Sequence, residues 1–329
     1  MKIIALEEHY VIPEVLKAWQ MLPPEFQDIA QSSASEGDIG RRLHDFDDER
    51  HAQMAEAGVD VQVLSLTAPS VQNLDASNAV ALQTLANDVL EDAIRRHPHR
   101  LQGFATLATP DPKAAAWELE RTVKKLGFHG AMLHGRTRDR NLDHPDFLPI
   151  FEAANALRAP LYIHPQSPQP VVRDAYYSGF GDEVDSIFAR PGIGWHYETG
   201  VQIIRLMLAG VFDRFPNLQI IAGHWGEVIL FYLDRIDMLG HAAKLPRLPS
   251  EYFRDHVLVT PSGIFSQRYL RWAIEVIGID RILFATDYPY AMTPNGGARR
   301  FLEEAKLGDE ERTKIASGNW ERLCSQIRR

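Results

Sequence analysis

The chain has 329 residues, of which 45% are hydrophobic and 24% are charged, and its formal net charge at pH 7 is −9. This composition is typical of a folded globular protein; the negative charge argues against a nucleic-acid partner, and the single cysteine, Cys324, excludes an intrachain disulfide and a multi-cysteine metal site. Because no apolar run approaches the roughly 18 residues of a membrane span and no secretory signal pattern opens the chain, we expect a cytoplasmic protein with no membrane partner.

Short apolar runs recur along the chain, as in strands that are buried on both faces. In chain order these predicted strands occupy residues 3–9, 59–66, 101–108, 129–135, 160–164, 218–224, 256–263 and 281–287. Between them the apolar residues have helical spacing, which predicts helices over residues 46–58, 78–97, 111–127, 147–158, 199–216, 226–240, 266–278 and 308–328. Eight strands that alternate with helices predict an α/β fold, a (β/α)8 TIM barrel formed by residues 1–329 as a single domain. A doubly wound open sheet is the alternative.

Two connections are too long to be plain loops. They cover residues 10–45, after the first predicted strand, and residues 165–198, after the fifth. Long loops in a compact domain usually cover or bind a ligand, and both of these leave the strand ends at which a barrel builds its active site. We therefore expect both to lie over the functional site.

Ionisable side chains stand at the ends of four predicted strands. Glu7 and His9 end the first, and because side chains alternate along a strand they should point the same way, with Glu8 pointing the other way. Three more such residues end the fifth, sixth and eighth strands: His164, His224 and Asp287. In a barrel all of them would meet at one rim.

Carboxylates and imidazoles in such a cluster suit Zn²⁺ or Mn²⁺, and Glu7 and His9 are candidate ligands. No lysine ends the fourth strand to bridge two ions as a carbamate, so the sequence predicts one metal ion. Taken singly, each residue has a plainer explanation. His164 and His224 could be hydrogen-bonded core histidines, and Asp287 could start the turn before Pro289.

Six motifs carry a resemblance to a known family: ALEEH (5–9), LSLTAPSVQ (64–72), GFATLATPDP (103–112), YIHPQSP (162–168), RLMLAGVFDRFPNLQIIAGHWGE (205–227) and RILFATDYPY (281–290). In this order they resemble the amidohydrolase superfamily, in its branch of non-oxidative decarboxylases. That branch includes the γ-resorcylate, 5-carboxyvanillate and aminocarboxymuconate-semialdehyde decarboxylases. The resemblance runs over nearly the whole chain and is less specific for one substrate.

The resemblance implies a role for each matching residue. It implies one divalent ion, Zn²⁺ or Mn²⁺, with four ligands: Glu7, His9, His164 and Asp287. His224 matches an acid/base group beside the metal, Glu227 matches its carboxylate partner, and Asp287 would deliver a proton to the substrate. Arg235 matches an arginine that binds substrate in a neighbouring subunit of the relatives, which implies a homodimer or homotetramer. A surface pair of Arg235 with Asp234 or Asp237 is the alternative.

The chain departs from the γ-resorcylate pattern beside the expected pocket. His134-Gly135-Arg136 stands where that pattern has Asn-Gly-Phe, and Gln166 stands in place of an arginine. If they face the pocket, His134 and Arg136 would bind a polar or anionic substituent of the substrate. The alternative is that Arg136 lies in a solvated loop.

These residues favour a metal-dependent decarboxylase of a small aromatic acid with a hydroxyl ortho to its carboxylate, which releases CO2. A metal-dependent hydrolase of an ester, lactone or amide is the alternative, since a metal-bound water with His224 as base would serve it as well. A non-enzymatic scaffold is less favoured, because it gives no reason for ligand-type residues at four strand ends.

Overall fold

A ring of parallel strands forms the centre of the molecule, which is described over residues 1–329 by a computed structural model. In chain order its strands are Ile4–Tyr10 (β1), Val61–Leu66 (β2), Leu101–Gly103 with Ala105–Thr106 (β3, in two pieces), Ala131–His134 (β4), Leu161–His164 (β5), Ile220–Ala222 (β6) and Val257–Val259 (β7). Each pairs in parallel with the next, and the two pieces of β3 pair with β2 and β4 respectively.

Residues 282–285 take the eighth place and close the ring. The Leu283 N–H donates to the Val259 carbonyl at 2.8 Å on one side, and the Leu6 N–H donates to the Phe284 carbonyl at 2.9 Å on the other. On each side the segment forms one isolated parallel bridge, Ile282 with Val259 and Ala285 with Leu6, instead of a regular ladder. The predicted eight-stranded barrel is therefore confirmed, and its eighth strand is bridged backbone instead of the regular strand predicted over 281–287.

Helices cover the outside of the ring and fill the connections. Their bounds are Pro13–Gln20, Gln31–Ser35, Gly37–Leu43, Asp48–Ala57, Ala76–Arg96, Pro112–Lys125, Leu148–Leu157, Pro170–Tyr176, Asp182–Ile187, Gly194–Leu208, Val211–Arg214, His224–Glu227, Ile229–Ala243, Pro249–His256, Gln267–Ile277, Gly297–Glu303, Asp309–Thr313 and Asn319–Ser325. Short 3₁₀ turns occupy Pro24–Phe26, Pro145–Phe147 and Ile279–Arg281, and π-type turns occupy Phe188–Gly192 and Lys314–Gly318. No helix combines the length and hydrophobicity that a membrane crossing requires.

Three predicted helices differ from the structure, and the one over 308–328 is interrupted by the π-type turn Lys314–Gly318. The helix predicted over 199–216 is divided at Gly210, whose left-handed φ of 68° ends one helix before Val211 begins the next. The helix predicted over 226–240 begins only at Ile229, because the residues before it are left-handed. The two long connections, 10–45 and 165–198, contain several short helices, and residues of both line the cavity at the rim.

The barrel interior is packed solid. Each of the eight places in the ring contributes side chains to it, among them Ile4, Val63, Phe104, Met132, Tyr162, Ile221, Leu258 and Leu283. At the amino-terminal end the interior is closed by Trp320, whose indole N–H donates to Gln102 Oε1 at 2.9 Å. A ligand can therefore reach the barrel only from the rim formed by the carboxyl ends of the strands.

Candidate metal centre and active site

A bulge in β1 brings Glu7 and His9 to the rim together. Ile4 and Leu6 face the barrel interior, so unbroken alternation would turn Glu8 inward next. The register with β2 shifts between Ala5 and Glu8, and Glu7 has a left-handed φ of 59°. A bulge inserts one residue and re-aims the side chains that follow it. Glu7 and His9 consequently face the rim, and Glu8 accepts a hydrogen bond from the Thr286 N–H at 2.8 Å instead.

Four side chains converge at this rim. They are the residues that the resemblance assigns to a metal ion: Glu7, His9, His164 and Asp287. One ligand-type atom from each lies within 4.8 Å of the others. His164 Nε2 is 3.4 Å from Glu7 Oε1, and His9 Nε2 is 3.4 Å from Asp287 Oδ1. Strands β1 and β5, on opposite sides of the ring, and the end of the eighth segment thus contribute to one centre.

The outward atoms of these side chains are occupied and the inward atoms are not. His164 Nδ1 donates to the Pro165 carbonyl at 2.8 Å, and His9 Nδ1 lies 3.3 Å from Ser65 Oγ. The hydroxyls of Tyr162 and Ser262 both donate to Glu7 Oε2. Glu7 Oε1 and His9 Nε2 are buried without any hydrogen-bond partner. Buried polar atoms are rarely left so, and oriented ligands with free inward lone pairs fit a bound cation.

The protonation preferences point the same way. Burial raises the pKa of Glu7 to about 8, and burial together with the neighbouring His9 lowers the pKa of His164 to about 3. The protein alone therefore disfavours both a carboxylate charge and an imidazolium at this place. A bound divalent cation would offset the cost of burying the Glu7 carboxylate in its charged form. It would also bind the His164 imidazole in its neutral form, which the protein already favours.

Beside this centre, Glu227 joins two histidines. Residues 224–228 form a left-handed turn, with φ of 46° at His224 and 52° at Glu227, and this turn places both side chains on one side. Glu227 Oε1 lies 2.8 Å from His224 Nδ1, and Glu227 Oε2 lies 2.8 Å from His196 Nδ1. These are hydrogen bonds that use both carboxylate oxygens, so the three side chains are not a second metal site. His224 Nε2 faces the metal centre, 4.0 Å from Asp287 Oδ2.

Charge pairing dominates this group. Burial acts against the charge of Glu227, but the two imidazoles outweigh it and lower the pKa of Glu227 to about 2. Burial likewise acts against the imidazolium of His224, but Glu227 and then Glu7 raise the pKa of His224 well above its usual value. The pair is a buried carboxylate with a protonated imidazole whose Nε2–H is aimed at the metal centre.

A cavity of about 350 Å³ opens over both groups. Its floor includes His164, His224 and Asp287, and its walls come from the two long connections and from Tyr290. The cavity is the place where a small ligand would meet the metal centre and His224 at once.

A family model described as Amidohydrolase matches residues 14–323. The chain belongs to the amidohydrolase family. Among its relatives is the γ-resorcylate decarboxylase of Polaromonas sp., 36% identical over 97% of each chain. The 5-carboxyvanillate decarboxylase of Sphingomonas paucimobilis is similar in structure, with a TM-score of 0.90 and 35% identity over the whole of both chains. A dihydroxybenzoic acid decarboxylase of Polaromonas sp. JS666, solved with manganese and the inhibitor 2-nitroresorcinol, gives a TM-score of 0.84 at 34% identity over 100% of this chain and 98% of its own.

The three predicted substrate-binding residues of this amidohydrolase lie in different places. His134 is buried beneath His164, with ring centroids 4.9 Å apart, and neither ring nitrogen has a partner. It does not line the cavity. Arg136 turns away from the cavity and pairs with Glu198 at 2.9 Å. Arg235 is exposed on the helix Ile229–Ala243 and makes no ion pair, so the predicted alternative pairs with neighbouring aspartates are not formed.

Sequence reasoning missed His196, Tyr162 and Ser262. His196 lies in the long connection after β5, 28 residues before His224 in the sequence, and only the fold brings the two rings to 4.6 Å. Tyr162 and Ser262 end in hydroxyls that orient Glu7. The one available signal was position, because Tyr162 is two residues before His164 and therefore faces the same side of β5.

Proposed function

We propose that this amidohydrolase is a metal-dependent, non-oxidative decarboxylase of a small aromatic acid with a hydroxyl ortho to its carboxylate. The observation that carries the proposal is the convergence of four ligand-type side chains, two of them with buried inward atoms that have no hydrogen-bond partner, beneath a cavity that also contains His224. The relatives support it, since four with 33–36% identity over nearly the whole chain are named γ-resorcylate decarboxylases.

The proposed cofactor is one divalent ion, Mn²⁺ or Zn²⁺, held by Glu7, His9, His164 and Asp287. Such an ion would favour the ionised form of the substrate's ortho-hydroxyl. Binding of that hydroxyl and of the substrate carboxylate would fix the position of the ring. Manganese is present in the solved dihydroxybenzoic acid decarboxylase and in a 5-carboxyvanillate decarboxylase. The mixed nitrogen and oxygen ligand set suits either metal.

The residues beside the ligands provide for the proton that replaces CO2. Asp287 turns Oδ1 towards His9 and Oδ2 towards His224 Nε2, so Oδ2 faces the cavity. In our proposal Asp287 Oδ2 delivers a proton to the ring carbon that carries the carboxylate. The carbon–carbon bond then breaks, its electron pair restores the aromatic ring, and CO2 leaves. That proton reaches Asp287 from His224 Nε2, which Glu227 orients, and His224 regains a proton from solvent in the cavity before the next turnover.

A product assay tests this function. The metal-loaded protein is incubated with a panel of ortho-hydroxybenzoates, and both CO2 and the loss of substrate absorbance are measured. We expect CO2 release without a new acid group, and we expect His224→Asn to abolish turnover while the metal content stays near one ion per chain. If no acid loses CO2 while a panel of esters and lactones is cleaved, the protein is a hydrolase and the proposal fails. If His224→Asn loses its metal, His224 is a ligand.

We further propose a homodimer or homotetramer in which Arg235 reaches the active site of a neighbouring subunit. The helix Ile229–Ala243 leaves large apolar side chains exposed: Phe231 (67%), Tyr232 (51%) and Met238 (55%). An exposed patch of this kind marks an interface, and Arg235 lies within it without an acidic partner. Its guanidinium would suit the carboxylate of a substrate bound by the partner.

Subunit mixing tests the shared site. Arg235→Ala and His224→Asn are each expected to be inactive, but hybrids contain one site with an intact His224 and an intact arginine from the partner. Activity should therefore return after the two variants are mixed and re-equilibrated. If hybrids form, as shown by tagged subunits, and no activity returns, Arg235 does not act across the interface.

A cytoplasmic location and a single domain over residues 1–329 are also part of our proposal. The single domain rests on the barrel, whose strands run from Ile4 to the bridged residues 282–285 and whose interior is closed by Trp320.

A further inference from the structure

A guanidinium group stands in the catalytic cavity without an acidic partner. Arg190 lines this cavity together with His164, His224 and Asp287. It is half-buried, and its hydrogen bonds go to neutral oxygens: Nη1 donates to Ser33 Oγ at 3.0 Å and Nη2 donates to Ser186 Oγ at 2.7 Å. No carboxylate lies within ion-pair distance of it. Since each terminal nitrogen carries a second N–H bond, the group can still donate to a ligand.

The backbone explains why Arg190 reaches the cavity. It lies in the π-type turn Phe188–Gly192, and its φ of −113° and ψ of −110° are non-helical. A residue before a proline is kept out of the helical region, and Pro191 follows, so the chain bends at Arg190. The two serines that hold its guanidinium come from the two long connections, Ser33 after β1 and Ser186 after β5. Both loops therefore cooperate to hold one cation over the cavity.

The charges around the cavity are otherwise balanced. The carboxylates of Glu7 and Asp287 belong to the metal centre, and the carboxylate of Glu227 belongs to the two histidines. Burial lowers the pKa of Arg190, and the charge of one other acid, Asp28, acts in the opposite direction without reaching ion-pair distance. Asp28 itself accepts hydrogen bonds from Ser167 and from the Ala30 N–H, and it lines a neighbouring cavity. Arg190 is thus an uncompensated cation in the cavity.

Arg190 is also separate from the place of the reacting carboxylate. It makes no ion pair with any of the four metal ligands. Tyr290 lines the cavity near both groups: its ring lies 5.6 Å from the His9 ring, and the charges of Asp287 and Arg190 both act on its phenol. A carboxylate and ortho-hydroxyl held at the ligands would leave Arg190 facing another edge of the aromatic ring.

We propose that Arg190 is a specificity-determining residue that binds a second carboxylate on the ring of the substrate, so that the enzyme prefers hydroxyaromatic dicarboxylates to monocarboxylates. This rests on the proposed decarboxylase function. A guanidinium matches a carboxylate with two parallel N–H bonds, and binding such a group would supply the missing negative charge in the cavity.

The kinetic test compares two pairs of substrates. The monocarboxylates are 2-hydroxybenzoate and 2,6-dihydroxybenzoate, and the dicarboxylates are 4-hydroxyisophthalate and 2-hydroxyterephthalate, which place the second carboxylate at different positions. The variants are Arg190→Gln and Arg190→Lys, with Arg173→Gln as the control from the same connection but outside the cavity. We expect Arg190→Gln to lower kcat/KM for the preferred dicarboxylate by about 10- to 100-fold, mainly through KM. Its effect on monocarboxylates should stay below about threefold, and lysine should recover part of the loss.

A binding measurement separates this proposal from the decarboxylase assignment. Isophthalate and benzoate lack the ortho-hydroxyl, so neither is expected to react, and Trp195 in the cavity wall provides a fluorescence signal. Wild-type protein should bind isophthalate more tightly than benzoate, and Arg190→Gln should abolish the difference. Equal losses for monocarboxylates and dicarboxylates would mean that Arg190 binds the reacting carboxylate, and unchanged constants would mean that it binds neither; each result overturns the proposal. Absence of CO2 from every acid would overturn the decarboxylase function instead, while the binding preference would still report on Arg190.

Discussion

Replacement of Glu227 by glutamine removes a buried charge with little change in side-chain shape. In the native site each carboxylate oxygen accepts one hydrogen bond at 2.8 Å, from His224 Nδ1 and from His196 Nδ1. A glutamine has one acceptor oxygen and an NH₂ group that only donates. One of the two imidazoles therefore loses its acceptor, and His224 loses the charge that keeps it protonated and oriented.

The structure sets the size of the effect. The two imidazoles lower the pKa of Glu227 to about 2, against an ordinary value of 4.5. Because one pKa unit corresponds to 1.36 kcal/mol, folding stabilises the charged form of Glu227 over the neutral form by about 3 kcal/mol, relative to the unfolded chain. We expect the free energy of unfolding at pH 7 to fall by about that amount, and Tm to fall by roughly 5 °C for a chain of this size. Loss of a positioned acid/base group should lower kcat by about 10²- to 10⁴-fold.

The assay combines kcat for CO2 release, thermal unfolding and metal content. Glu118→Gln is the matched control, because Glu118 is also buried and bonded to two partners, Asn87 and Arg121, but lies on an outer helix. The control should lose some stability and keep its kcat. If Glu227→Gln keeps kcat within about threefold of wild type, or if its activity loss is explained by lost metal, the assigned role of the His224–Glu227 pair is refuted.

Three further predictions concern the same rim. Replacing His164 by alanine should lower the affinity for Mn²⁺ by at least about 10²-fold in a metal titration, and unchanged affinity would remove His164 from the ligand set. Tyr162→Phe removes a hydroxyl that orients Glu7, and metal affinity should fall by about 10-fold with the fold intact; an unchanged titration would show that Ser262 suffices. Because the pKa of Glu227 is lower in the folded state, its stabilising contribution is complete above about pH 4.5 and is lost as pH falls towards 2. The difference in urea unfolding between wild type and Glu227→Gln should therefore shrink below pH 4.5, and a constant difference would contradict the charge-pair explanation.

The strand ends were predictable from the sequence because each candidate ligand directly follows an apolar run. Burial of those runs fixes the barrel, and the barrel fixes where its carboxyl ends meet, so His164 and Asp287 could be assigned to one rim without coordinates. The alternation argument correctly placed Glu7 and His9 on the same side of β1. Which side they face is set by the bulge at Glu7. No residue pattern signals that bulge, because it depends on how β1 registers against β2.

The orientation of loop residues could not be predicted, since it depends on distant partners. The Gln72 side chain donates to the carbonyls of His134 and Arg136, both at 2.9 Å, and this holds the turn after β4 in place. Arg136 then meets Glu198, 62 positions away, instead of the cavity. Arg190 enters the cavity from a segment that sequence reasoning marked only as a long connection. Such pairings follow from tertiary structure alone.

The left-handed turn at 224–228 and the bulge at Glu7 limit how this site could be moved to another scaffold. An idealised barrel has straight strands and ordinary helix starts. On such a backbone two adjacent residues, such as Leu6 and Glu7, point to opposite faces of the sheet. A left-handed conformation costs about 1–2 kcal/mol per non-glycine residue, so copied side chains would not draw the new backbone into this shape. A designer would have to transplant the irregular backbone of both segments first, together with the groups that stabilise it, and place the reactive side chains on it afterwards.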